Sequence, residues 1–97
     1  MQTYYHATSI ECAVGILGDE KIRKSIDGGV YLCKTAKDAV KFAAFCTSNI
    51  VVFEVRVDES KVEESFDHNK EFFGCDAYIY FGDIPLSQVT STTFWEI

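Results

Sequence analysis

The stretch Ile50 to Val57, I-V-V-F-E-V-R-V, carries the clearest local signal in the chain. Val51, Phe53, Val55 and Val57 alternate with Glu54 and Arg56. A period of two puts those apolar side chains on one face. The stretch therefore reads as a strand with one buried face and the far end of the other in water. Such a face must be covered, and the flanking segments decide by what.

Upstream, Thr35 and Asp38 form T-x-x-D, a capping box that opens a helix over roughly Ala36 to Phe45. Ala36, Ala39, Val40 and Ala43 share one face of it. Val30 to Cys33 (VYLC) is a β-type run, preceded by the turn signal Asp27-Gly28-Gly29. Lys21 to Ser25 reads as a short strand. Thr8 and Glu11 form T-x-x-E ahead of an earlier helix, with Ile10, Ala13, Val14 and Leu17 at helical spacing. Gly18 stands where a glycine would end that helix. Thr3 to Ala7 (TYYHA) reads as an aromatic-rich first strand.

Downstream, Asp58 to Lys70 is polar and acidic and reads as a loop with at most a turn of helix. Ala77 to Phe81 (AYIYF) is another strand, Gly82-Asp83-Ile84-Pro85 a turn, and Ser91 to Ile97 a final strand. Helices come early and strands dominate late, which predicts an α+β domain rather than a βαβ alternation. No GxGxxG is present, so a Rossmann site is not indicated.

The chain has 97 residues, the size of one domain. Hydrophobic residues make up 47%, enough for a globular core. The net charge of −6 argues against nucleic acid as a partner, because phosphate backbones are bound by Lys and Arg. No apolar run approaches the roughly 20 residues of a membrane span, and the N-terminus lacks the basic start of a signal peptide. A cytoplasmic protein is expected. In that compartment Cys12, Cys33, Cys46 and Cys75 read as free thiols rather than disulfides. Three of the four lie in apolar-patterned segments, where cysteine acts as a small buried hydrophobe. There is no C-x-x-C, and His6 and His68 are far apart, so no zinc site is suggested.

Three stretches stand out together: Tyr5-His6-Ala7-Thr8 before the first helix, Gly29-Val30-Tyr31-Leu32 before the second, and Asp76-Ala77-Tyr78-Ile79-Tyr80-Phe81. In this order they resemble the ADP-ribosyltransferase fold, most closely its poly(ADP-ribose) polymerase branch. That branch has an H-G-S/T strand, a helix ending I-L-x-x-G-L, a G-I/V-Y-F/L strand, a helix of small residues, and an E-Y-I/V-V-Y-like strand. Here His6-Ala7-Thr8, Ile16-Leu17-Gly18, Gly29-Val30-Tyr31-Leu32 and Ala39, Phe42 and Ala43 match in turn. The resemblance covers nearly the whole chain and implies split antiparallel sheets with two short helices.

It also implies a chemistry. The family cleaves the bond between nicotinamide and ribose in NAD, through an oxocarbenium-like cation that demands fixed geometry. His6 would hold a ribose hydroxyl, and the Ala7 backbone would grip the nicotinamide amide. Thr8 would supply the H-G-S/T hydroxyl, Tyr31 would stack on the ring, and Phe42 would close the sandwich. The family's third strand opens on a glutamate, and Ala77 falls at its place. Asp76, adjacent, or Glu71, from the preceding loop, is then the candidate carboxylate. Ala7 also replaces the family glycine, adding a methyl group near the ligand.

Plainer readings stand beside these. Phe42 serves equally well as core, and Tyr4, Tyr78, Tyr80 and Phe81 as sheet packing. The acidic run Asp58 to Glu64 is a solvated loop or a docking surface for a basic partner. Three functions follow: an NAD-dependent transferase or glycohydrolase acting on a protein or other acceptor; a binding or inhibitor protein on the same fold without the acid; and, ranked last because arginines are few, a tRNA 2′-phosphotransferase-like enzyme.

Overall fold

In the computed structural model the chain is an α+β fold of antiparallel strands, with two α-helices among the described residues. The structure describes residues 1–25, 28–65 and 77–97. In chain order these form β1 (Gln2–Ser9), α1 (Ile10–Asp19), β2 (Lys21–Ile22), β3 (Gly29–Leu32), α2 (Ala36–Ala43) and β4 (Asn49–Val57). A 3-10 turn (Glu59–Lys61), β5 (Val62–Ser65), β6 (Ala77–Phe81), β7 (Ile84–Pro85), a second 3-10 turn (Leu86–Gln88) and β8 (Val89–Glu96) follow.

Three sheets result, in the orders β1-β4-β8, β3-β6-β5 and β2-β7. The two larger ones meet at one antiparallel bridge between Tyr5 and Cys33. There Tyr5 and Cys33 exchange backbone hydrogen bonds of 2.8 and 2.9 Å. Beyond that point β1 and β3 part, and the split creates the opening described below.

β4 is buried on both faces. Phe53, Val55 and Val57 enter a core with Tyr4, Ile22, Val30, Leu32, Tyr80 and Ile84. On the other face Ile50 and Val52 pack under Val40 of α2, with Ala36 and Ala43 alongside. Glu54 is half-buried and Arg56 exposed, so the wet end lies where the alternation put it. Full burial of Phe53 alone is worth roughly 1.5–3 kcal/mol relative to exposure. The small residues of α2 let its axis lie close to the sheet. Thr35 caps it as the T-x-x-D pattern predicted, its Oγ1 accepting from Asp38 N at 3.1 Å.

Several expectations need correcting. Thr8 does not cap α1; it still pairs with Val51 in the ladder. Ser9 is the cap, its Oγ accepting from Cys12 N at 3.2 Å. Gly18 does not end the helix. The left-handed residue is Glu20, at φ 60°, whose N–H returns to Ile16 O.

The apolar face of α1 is also turned. Ala13 and Ile16 are buried, while Ile10, Val14 and Leu17 are 37%, 64% and 55% exposed. At 3.6 residues per turn that is a rotation of roughly 90° from the face its periodicity selects. Ile84–Pro85, read as a turn, pairs with β2 as an edge strand, where proline's missing N–H does no harm.

The acidic segment after β4 holds a further strand. Val62–Ser65 pairs with β6 at the edge of its sheet, where glutamates face water. Cys33 is buried, but Cys12 and Cys46 are exposed rather than buried; all three are free thiols. Among the described residues no helix is long and apolar enough to cross a membrane.

Candidate functional site

Past the Tyr5–Cys33 bridge the backbones of β1 and β3 no longer reach each other, and a side chain takes over. His6, the next residue on β1, donates from Nδ1 to the Tyr31 carbonyl at 2.9 Å. A carbonyl only accepts, so Nδ1 must carry the proton. In the neutral ring Nε2 is then a bare acceptor. Burial pushes the His6 pKa below its ordinary 6.5, and the bond to Tyr31 offsets this only in part. The ring is thus neutral at pH 7, fixed in one tautomer, and able to accept a hydrogen bond from a ligand hydroxyl or N–H.

Beside it lies a small cavity of about 60 Å³. Tyr5, His6 and Ala7 of β1 form one wall, Tyr31, Leu32 and Cys33 a second, and Ala39 and Phe42 of α2 and Ala77 of β6 the rest. The lining is mostly apolar. The space suits about two waters, well below the size of a typical ligand site. A ring can enter only if the half-buried Tyr31 and Phe42 side chains part. Larger clefts adjoin the cavity. One of about 540 Å³ runs from Ala7 over Thr8, Ser9 and Cys12 to Ala43 and Cys46. Another of about 300 Å³ runs from His6 over Thr8 to Ile16 and Asp19 of α1, Ile22 of β2 and Arg23 just beyond it.

The fold thus brings His6, Ala7, Tyr31 and Phe42 onto one cavity, from three separate segments. Thr8 lies next door, in the two flanking clefts. Asp76 and Glu71 lie outside the described residues. Ala77, aligned by sequence with the family's glutamate, is buried and lines the cavity. Sequence reasoning missed Tyr5 and Cys33 as wall residues. Their pairing depends on a bridge between two sheets, and no local pattern encodes that.

One backbone requirement shapes the β3 wall. A Cβ at Gly29 would run into the Ile79 side chain of β6, so the G-V-Y-L glycine permits close strand packing ahead of Tyr31.

No protein-family model matches the chain, and no curated protein does. Among solved structures the chain is similar to the crystal structure of protein CC0527 from Caulobacter crescentus. The TM-score is 0.69 at 16% identity, over 96% of this chain and 85% of that one. A double mutant of the same protein matches at TM-score 0.66, also at 16% identity. Likeness at that identity is likeness of fold.

Proposed function

We propose that the cavity at the β1–β3 split receives the nicotinamide end of NAD, in the manner of the ADP-ribosyltransferases that the chain resembles. The observation that carries this reading is the meeting of His6, Ala7, Tyr31 and Phe42 on one cavity, with His6 held to the Tyr31 carbonyl. Four positions singled out by the family pattern converge although they span three segments. Nε2 of His6 is an acceptor aimed at a ribose hydroxyl, the Ala7 backbone is available to an amide, and Tyr31 and Phe42 supply two ring faces.

Transfer of ADP-ribose to a protein or other acceptor, or hydrolysis of NAD, asks one thing more of this site. The developing cation needs a carboxylate near the ribose. In this reading Asp76 or Glu71 brings it. A second reading is favoured by Ala77, whose methyl group lines the cavity: the protein binds the ligand without turning it over, as a sensor or inhibitor.

One sample separates the two. NAD is titrated by calorimetry, and free nicotinamide is then measured, for the parent chain, His6→Ala and Tyr31→Ala. Binding weakened about tenfold or more in both variants supports the site. Nicotinamide release that disappears in Asp76→Asn or Glu71→Gln establishes the enzymatic reading, transfer or hydrolysis. Binding without release establishes the binder. No binding by the parent chain refutes both.

A further inference from the structure

We propose that the outer edge of β8 is a docking site for an extended segment of a partner protein, which adds as a further strand and lays a Lys or Arg side chain into a groove ending at Glu54. This site is independent of the NAD reading.

Three observations combine. The first is the edge itself. β8 is eight residues long, lies at the end of the order β1-β4-β8, and pairs only with β4 among the described residues. Its sequence, V-T-S-T-T-F-W-E, holds no Pro, Lys or Gly. Proteins usually blunt such an edge with one of these, or cover it. Here Phe94 and Trp95 are instead 56% and 37% exposed.

The second is a groove of about 410 Å³ beside that edge. Ser91, Thr93 and Trp95 line it at two-residue spacing, so they share one face of β8. Behind them stand Val52 and Glu54 of β4 and Tyr5 of β1. An added strand presents every second side chain to this same face.

The third is the carboxylate at the back. Glu54 is half-buried and accepts from Thr90 Oγ1 at 2.9 Å. One donor leaves a carboxylate with further acceptor sites. No Lys or Arg among the described residues ion-pairs with it, Arg56 included.

Distance and charge select the occupant. Strands lie about 4.8 Å apart, so an added strand runs about 10 Å from β4. Only a long side chain crosses β8 to reach Glu54. The Glu54 carboxylate at the end of the groove, with the Trp95 ring lining the same groove, favours a cation over an alkyl chain. A second copy of this chain is a poorer occupant. Its β8 offers no Lys or Arg, and it brings −6 against −6.

The test uses eight-residue peptides of alternating threonine and valine, with one central residue set to arginine, lysine, norleucine or glutamate. Trp95 is the only tryptophan, so its emission reports occupancy, and amide resonances locate the peptide. The arginine and lysine peptides are expected to shift the β8 amides and the Trp95 emission. Norleucine should bind about tenfold more weakly, and glutamate not at all. Glu54→Gln should erase the preference for arginine over norleucine. Thr93→Lys, at an exposed position, should block the cationic peptides without disturbing the fold. The proposal is overturned if no peptide shifts β8. It is overturned equally if the varied residue and Glu54→Gln make no difference, or if the chain sediments as a dimer that Thr93→Lys dissociates.

Discussion

β4 and β8 lie side by side in one sheet and are nearly equal in length, nine and eight residues. Their fates differ. Ile50, Phe53, Val55 and Val57 of β4 are fully buried, whereas β8 is exposed at every position from Thr90 to Glu96. Both strands carry β-formers: valines, isoleucine and phenylalanine in one; threonines, phenylalanine and tryptophan in the other. Composition does not separate them. Position does, because β4 has a strand on each side, α2 on one face and the main core on the other, while β8 has one neighbour among the described residues. Burial here is a property of topology that the side chains then exploit.

The sharpest test compares two phenylalanines. Phe53 is fully buried and Phe94, across the ladder from Val51, is 56% exposed. Phe53→Ala is expected to cost about 3–5 kcal/mol, the loss of a core aromatic plus the cavity left behind. Phe94→Ala is expected to cost about 0.5 kcal/mol or less, the range of surface positions. Urea unfolding of the two variants measures both. Equal losses would break the contrast and mean that β8 is covered in the folded state.

β1 is intermediate, fully paired with β4 on one side and bridged to β3 only at Tyr5 on the other. His6 sits where centre becomes edge, and its titration reports that place. Its folded pKa is lowered by burial, with the Tyr31 bond opposing. The unfolded chain therefore takes up this proton at higher pH than the folded one. Stability from His6 is complete above about pH 6.5, the ordinary value, and is lost as pH falls from there through the folded pKa. His6→Gln, which can still donate to the Tyr31 carbonyl, should flatten the stability curve in that window. A slope unchanged in the variant would assign the titration to another group. Asp58 and Asp83, whose carboxyls are held low chiefly by hydrogen bonds from Ser60 and Lys24, act in a separate window near and below 3.8.

What the sequence disclosed follows the same division. β4, α2 and β6 were legible because their patterns are answered by contacts close to the core. The convergence of His6, Tyr31 and Phe42 was legible only through family order, since no periodicity links residues on β1, β3 and α2. β5 was not legible: V-E-E-S has little β-propensity and forms at an edge where glutamate is tolerated. Nor was the rotation of α1. Its periodicity favoured the row Ile10, Ala13, Val14 and Leu17, of which only Ala13 is buried, because β1, β2 and β4 meet the side holding Ala13 and Ile16. A hydrophobic stripe states what a helix has available to bury, while its neighbours decide what is buried.

The start of α1 offers the smallest test and a precise one. Thr8 and Ser9 are adjacent hydroxyls, and T-x-x-E picks out the first, whereas the hydrogen bond to Cys12 N belongs to the second. The reason lies in the sheet. Ser9 is held extended by pairing with Ile50, so β1 runs one residue past the expected cap and the helix starts one residue later. Ser9→Ala should therefore cost about 1 kcal/mol, the usual worth of an N-cap hydroxyl. Thr8→Ala should cost less than half of that, since it removes a strand side chain rather than a cap. Thermal unfolding of the two single variants decides the order. If Thr8→Ala proves the more damaging, the helix begins where the capping-box pattern says it does, and the ladder between β1 and β4 must end a residue earlier. The hydrogen bond at Ser9 says instead that strand pairing outranks the local capping signal at this junction, as topology outranks composition in β8.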